Sequence, residues 1–288
     1  MKNSALVWIF FIVICFIWGS SFILMKEGMV ALSPYQVASV RVLSAGLVLL
    51  PVAIQTFKKV PRSKMLLIAL SGLLGTFFPA YLFCIAETKI DSSLAGILNA
   101  LTPLFTVFIG ALFFQLRLPF KKIAGVVTGF AGLLLLLLDP GKKIQLQFWG
   151  YASFVLLATI CYGANVNMVN RYLKDTGSKE IAAIAFAILI PSSLVILYAT
   201  GYFKLDLLAA GVMRATLASI ILGIFGTAIA SIMFYVLLKK AGPVFSSMVT
   251  YGIPFVAIFW GLLAGEEVTV RQILCLSVIL AGVYFARK

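Results

Sequence analysis

Long, nearly unbroken runs of apolar residues recur along this chain, each closed by a short cluster of charged residues or by glycine and proline. The runs are apolar on every face, unlike the one-sided stripe of a helix at a water-facing surface. At about 20 residues each, they have the length that a bilayer's hydrocarbon core requires of a helix. The pattern predicts an all-α integral membrane protein with ten transmembrane helices. These spans cover residues 5–25, 35–56, 65–86, 92–114, 120–138, 149–170, 180–200, 214–237, 244–264 and 271–286. No gap between them could hold a soluble domain. The first run follows Met1-Lys2 in the manner of a signal peptide. No small-residue cleavage site comes after it, however, and Trp18-Gly19-Ser20-Ser21-Phe22 leads into more apolar sequence, so it reads as a retained helix.

The pattern is written twice. At a fixed offset of 151, residues 72–115 and 223–266 share nine identities in 44 positions, among them Gly72/Gly223, Gly75/Gly226, Phe83/Phe234 and Pro103/Pro254. An offset of 144 pairs Trp18 with Tyr162 and Gly19 with Gly163. Ten spans then divide into two five-helix repeats, residues 1–143 and 144–288. An odd number of crossings forces the second repeat to enter the membrane upside down. The loop charges fit: Arg117, Lys121 and Lys122 follow span 4, whereas Glu266, Glu267 and a single Arg271 follow its counterpart, span 9. Two inverted repeats that can exchange conformations convert an inward-open cavity into an outward-open one, which is the logic of a transporter. A duplicated helical scaffold without transport is the bland alternative.

Composition agrees with the pattern. The chain is 62% hydrophobic and 11% charged, with a mean hydropathy of +1.12. Its net charge of +14 could suggest nucleic acid, but the placement of the basic residues argues for topology instead. With the N-terminus inside, fifteen Lys and Arg fall on cytoplasmic segments, including Lys58, Lys59, Arg62 and Lys64, and seven fall outside, including Lys142 and Lys143. This bias puts both termini in the cytoplasm of a multi-pass plasma (inner) membrane protein. The four cysteines lie inside spans without paired spacing and read as packing thiols. Histidine is absent, and no metal or cofactor is expected.

Polar side chains deep in a span should face a cavity or another helix. Span 4 carries Asn99, Thr102 and Thr106 on one face, and span 9 carries Ser246, Ser247, Thr250 and Tyr251 near one stripe. Span 6 carries Tyr162, Asn165 and Asn167; span 1 carries Trp18 and Ser21. The candidate substrate-binding residues are Trp18, Ser21, Tyr81, Asn99, Thr102, Tyr162, Asn165, Tyr235, Thr250 and Tyr251. They are expected around a central cavity formed by spans 1, 3, 4, 6, 8 and 9, with spans 5 and 10 peripheral. Aromatic walls with a few amides and hydroxyls suit a small, partly apolar organic solute. The same residues also serve as glue between helices. Pro103 and Pro254 stand at equivalent places as candidate hinges or as static kinks. The glycine pairs 72/75 and 223/226 permit close helix approach, and Gly125-x-x-x-Gly129 reads as packing within the chain rather than a dimer face. Arg41, in span 2, is the intramembrane charge. It either snorkels outward as a structural residue or faces the cavity and attracts an anion, and the structural role is the one expected. No carboxylate sits mid-span, so any proton coupling must use an edge carboxylate such as Glu27, Glu87, Asp91, Glu266 or Glu267.

The chain resembles the EamA-like permeases of the drug/metabolite transporter superfamily. The resemblance rests on Phe16-Ile17-Trp18-Gly19-Ser20-Ser21-Phe22, Arg41 and Ala100-Leu101-Thr102-Pro103-Leu104-Phe105-Thr106 in the first half. In the second half it rests on Gly265-Glu266-Glu267-Val268-Thr269, Arg271-Gln272 and Ile279-Leu280-Ala281-Gly282-Val283. Two departures stand out. Phe114-Gln115 replaces the family's usual Gly-Glu, and Tyr251-Gly252-Ile253-Pro254 replaces a Leu-Thr-Pro. The resemblance implies a ten-helix inverted-repeat carrier of small organic solutes such as a metabolite, amino acid or drug-like compound. It leaves the solute unnamed. An integral-membrane enzyme acting on lipid is disfavoured, because no convergent catalytic or metal-binding group is visible. A channel would want a continuous polar lining or a charged ring. The expected partners are the solute and the lipid bilayer, with no nucleic acid, for a monomer or homodimer.

Overall fold

The computed structural model describes residues 2–115 and 146–287, with Ala124, Gly125, residues 127–129, 131–132 and Leu135 between them. Among these residues all regular structure is helical, with no strand. The helices are α1 (Lys2–Met29), α2 (Pro34–Phe57), α3 (Met65–Gly72), α4 (Phe78–Ala86), α5 (Ser92–Asn99) and α6 (Thr102–Phe114) in the first half. In the second half they are α7 (Leu146–Tyr172), α8 (Ser178–Ala199), α9 (Ala210–Ile221), α10 (Ala230–Ser247), α11 (Val249–Leu263) and α12 (Val270–Arg287). Wider π-helical turns, Leu73–Phe77 and Leu222–Ile229, join α3 to α4 and α9 to α10. Among the described residues seven helical stretches are long and apolar enough to cross a membrane, and Val249–Leu263 and Val270–Gly282 are shorter apolar helices. Most of span 5, and the boundary between the halves near residue 143, lie outside the described residues.

Local sequence explains the ends and breaks. Ser33 caps α2: its hydroxyl accepts from the Gln36 amide while the Gln36 side chain bonds back to the Ser33 amide, and Pro34 occupies the first turn, where a missing N–H costs nothing. The expected separation of spans 8 and 9 falls at Gly242, whose φ of 80° and ψ of 171° are non-helical. Only glycine adopts that conformation readily, and Pro243 follows it. At Pro103 span 4 is loosened: α5 ends at Asn99, Ala100 and Leu101 bridge with right-handed helical angles, and Pro103 sits in the first turn of α6. Pro254 differs, lying well inside α11.

The helices pack in recurrent pairs. The most extensive interface is α2 against α8, and there Gly46 meets Ile190, its own counterpart at offset 144. Helix α1 packs on α11, and α7 packs on α6. At the first contact Gly19 abuts Ile253 and Val256; at the second Gly163 abuts Phe105 and Thr106. The contacts of the π turns repeat as well. Gly75 lies against Asn165 and Gly226 against Ser21, while Gly72 lies against Ala185 and Gly223 against the Arg41 backbone. In each case both partners shift by the two offsets already present in the sequence. These glycines are needed because a Cβ at Gly75 or Gly223 would overlap the Asn165 amide or the Arg41 carbonyl. Gly282 of α12 rests on Gly125 and Gly129, so that small-residue face is used within the chain.

Candidate functional site

A cavity lies where these pairs converge. Its lining comes from α1 (Trp18, Ser21, Phe22, Met25), α2 (Arg41), the first π turn and α4 (Gly75, Thr76, Phe83), and α5 and α6 (Asn99, Thr102). The second half supplies α7 (Tyr162, Asn165, Val166), the second π turn and α10 (Gly226, Thr227, Ser231, Phe234, Tyr235, Ser247) and α11 (Thr250, Ile253). About 820 Å³ of atom-free space lies within it, open mouth included.

Two aromatic pairs face each other across the halves. Trp18 packs on Phe234 with ring centroids 5.1 Å apart, and the equivalent Tyr162 stacks on Phe83 at 6.2 Å. The π turns set the polar geometry between them. A π turn frees a carbonyl from its usual i+4 partner; the Gly226 carbonyl accepts the Trp18 indole N–H at 3.0 Å. Thr227 donates its hydroxyl five residues back, to the Leu222 carbonyl, and accepts the Arg41 Nε–H at 2.7 Å. At the break in span 4, Thr102 donates to the carbonyl oxygen of Asn99 at 2.8 Å and reaches its side-chain Oδ1 at 3.2 Å, which covers backbone that the break exposes. Asn165 Nδ2 reaches the Tyr235 hydroxyl at 3.5 Å, and that hydroxyl also bonds Ser71. Asn165 Oδ1 is buried and has no partner.

Of the ten residues read from sequence, Trp18, Ser21, Asn99, Thr102, Tyr162, Asn165, Tyr235 and Thr250 line the cavity. Tyr81 and Tyr251 do not. The Tyr81 hydroxyl is held by Ser39 at 2.7 Å, between α4 and α2; the Tyr251 hydroxyl is walled in away from the cavity. Thr106, Asn167 and Ser246 spend their side chains on helix carbonyls. Arg41 requires a correction: it does not snorkel, because it is 8% exposed and lines the cavity, which adds span 2 to the walls. Sequence reasoning also missed Thr76, Thr227 and Ser231. Each stands in or beside a π turn, whose extra residue per turn shifts which positions face inward, and helical spacing of 3.6 does not anticipate that shift. The glycine pairs mark both turns. Helix α12 contributes nothing to the lining.

A polar cluster sits at one end of the bundle. Glu266 accepts from Lys26 Nζ at 2.6 Å and from the Ser92 and Ser93 amides at 3.0 Å each, capping α5. Burial raises its carboxyl, but the Lys26 and amide bonds outweigh this and hold it below the usual carboxylate range. Glu87 is 5% exposed; its Oε2 accepts the Ser92 hydroxyl while Oε1 has no partner. Burial pushes its carboxyl well above the usual range, more than Ser92 and Lys26 lower it. Among the described residues no group of His, Cys, Asp and Glu is placed to hold a metal.

The model of the EamA-like transporter family matches the chain twice, over residues 5–138 and 149–287. The chain is 28% identical over 270 residues to an uncharacterized inner membrane transporter, YedA, of Escherichia coli (strain K12), covering 93% of this chain and 86% of that one. It is 28% identical to an S-adenosylmethionine/S-adenosylhomocysteine transporter of Chlamydia muridarum (strain MoPn / Nigg), covering 88% and 82%. It is 26% identical to a probable amino-acid metabolite efflux pump of Escherichia coli (strain K12), covering 88% and 77%. A solved crystal structure, 18% identical, superposes with a TM-score of 0.67 over 98% of this chain and 96% of that one, which speaks to the fold.

Proposed function

The chain belongs to the EamA-like transporter family, a multi-pass membrane transporter of small solutes, and from this premise we propose that it is a secondary carrier working by alternating access. Its two units would be residues 1–143 and 144–288, each of five crossings and inverted with respect to the other, with both termini cytoplasmic. The observation that carries the proposal is the exchange of contacts around one cavity. Gly75 on Asn165 recurs as Gly226 on Ser21, and Trp18 on Phe234 recurs as Tyr162 on Phe83. Such a pair of halves has two equivalent ways to close, one at each end. The breaks before Pro103 and at Gly242, with Pro254 beyond it, give the facing helices places to pivot. The eight cavity residues would hold the solute between aromatic walls, with amides and hydroxyls fixing its orientation. Among the described residues the cavity wall holds no Asp or Glu to serve as a base, so the site lends catalysis no support.

Reconstitution in proteoliposomes tests this. Radiolabelled amino acids, S-adenosylmethionine and S-adenosylhomocysteine are the first solutes to try, given the relatives' names. A carrier gives saturable uptake, and preloaded solute accelerates it by exchange. Asn99→Ala and Tyr162→Ala should weaken apparent affinity about five-fold, the loss of about 1 kcal/mol for one hydrogen-bonding side chain, without loss of folded protein. Uptake that rises linearly without saturation or exchange would contradict a carrier and favour a channel. Parent-like transport by both variants would reduce the polar lining to helix glue.

A further inference from the structure

Building on the carrier reading, we infer that Arg41 docks a carboxylate on the transported solute, so that the substrates are small organic acids or zwitterions with an apolar body.

Arg41 is nearly fully buried, and among the described residues no carboxylate pairs with its charge. The ion pairs among the described residues are Lys26–Asp91, Lys26–Glu266 and Arg214–Glu27, all away from Arg41. Among the described residues no Asp or Glu lines the cavity. Glu87, the acid whose field Arg41 feels, makes no ion pair with it and spends Oε2 on the Ser92 hydroxyl. A buried cation without a partner is costly, and the cost is recovered when an anion arrives in hydrogen-bonding geometry.

The side chain is nevertheless positioned. Nε donates to Thr227 and Nη1 reaches the Met25 sulfur at 3.7 Å, which leaves Nη2 without a protein partner. Thr227 is fixed in turn by the π turn through the Leu222 carbonyl. A guanidinium held at one edge presents the planar donor fork that suits a carboxylate.

Helix packing does not explain the charge. Position 41 meets Gly223 through its backbone, and the equivalent contact in the other half is made by Ala185 on Gly72. A small residue suffices there, so the guanidinium is an addition to one half alone. The rest of the wall selects against a bare inorganic ion: Trp18, Phe83, Tyr162 and Phe234 offer aromatic surface, and Asn165 Oδ1 is an acceptor awaiting a donor.

Ligand-induced thermal stabilisation of the purified full-length chain tests the inference with three acid–amide pairs of rising size: acetate and acetamide, isovalerate and isovaleramide, 3-phenylpropionate and 3-phenylpropanamide. Chloride and inorganic phosphate serve as controls. At least one acid should bind about thirty-fold more tightly than its amide, the scale expected for a desolvated charge pair. Arg41→Gln should erase that preference by weakening the acids, and Arg41→Lys should keep part of it. Equal binding of acid and amide, preference surviving in Arg41→Gln, no binding of any acid, or phosphate binding as tightly as the best acid would each overturn the inference. The parent comparison stands even where a variant fails to fold. Exchange transport that ignores charge would sink the inference and leave the carrier; Arg41-dependent acid binding without exchange would do the reverse.

Discussion

At the scale of single residues, two carboxylates at the same end of the bundle carry opposite shifts for separate physical reasons. Glu87 is buried with one bare oxygen, so its folded form holds a proton that the unfolded chain releases in the ordinary range near 4.5. The native state therefore binds more protons, and stability falls as pH rises above that range toward the folded value. Glu87→Gln should flatten the decline in melting temperature as pH rises above the ordinary carboxylate range; an unchanged slope, measured in detergent, would contradict the raised carboxyl. Glu266 works in the other direction, since its lowered carboxyl lends stability at neutral pH that is lost on acidification through its folded value. Which residues reach the cavity was largely legible from polar positions inside apolar spans, as Asn99, Asn165 and Tyr162 show. Tyr81 was misread because a tyrosine facing a neighbouring helix looks the same in sequence as one facing a cavity; the Ser39 hydroxyl decides it. Arg41 was misread because distance from the span end does not say which way a side chain leans.

At the scale of elements, Glu266 fastens three segments: the end of α1 through Lys26, the start of α5 through two amides, and the connection between α11 and α12 on which it stands. Charge-assisted bonds to otherwise unmet helix amides are worth more than a solvated ion pair. Glu266→Gln should therefore cost about 2 kcal/mol of stability, clearly more than Lys26→Met, whose ammonium is partly exposed. Equal losses would mean that the ion pair, not the cap, holds the end together. At offset 151 the position of Glu266 is Gln115, a left-handed residue, and Arg171 bonds the neighbouring Phe114 carbonyl instead. The departure from the family's Gly-Glu noted in the sequence thus removes a carboxylate from one end. The π-turn glycines allow a graded test. A Cβ at Gly223 would overlap the Arg41 carbonyl, whereas one at Gly72 would meet Ala185 at 3.2 Å. Gly223→Ala should destabilise by about 1–3 kcal/mol, as overpacking does, with Gly72→Ala well below it in the same melting assay. The glycines were visible as a repeated pair; the π geometry between them was not, because a wider turn leaves no signature in hydrophobic spacing.

At the scale of the whole molecule, length and hydropathy anticipated an all-helical chain, with seven stretches among the described residues long and apolar enough to cross a membrane, since a membrane permits only backbone that satisfies its own hydrogen bonds. Where the helices break was less legible, because Pro103 opens a helix while Pro254 lies within one, and sequence presents the two as equivalents. The paired contacts at offsets of 144 and 151 connect these scales: identical small residues recur because the same helix approach is made twice. If those halves exchange conformations, a cavity residue must open to each side in turn. Ser231, a partly exposed lining residue of α10, provides the position to ask this. With Cys15, Cys84, Cys161 and Cys275 replaced and Ser231→Cys introduced, a membrane-impermeant thiol reagent should label the chain from outside in right-side-out vesicles and from inside in inverted ones. A transported solute that favours one closed form should lower labelling from one face and raise it from the other. Labelling from a single face under every condition, or from both faces without any such opposition, would contradict alternating access.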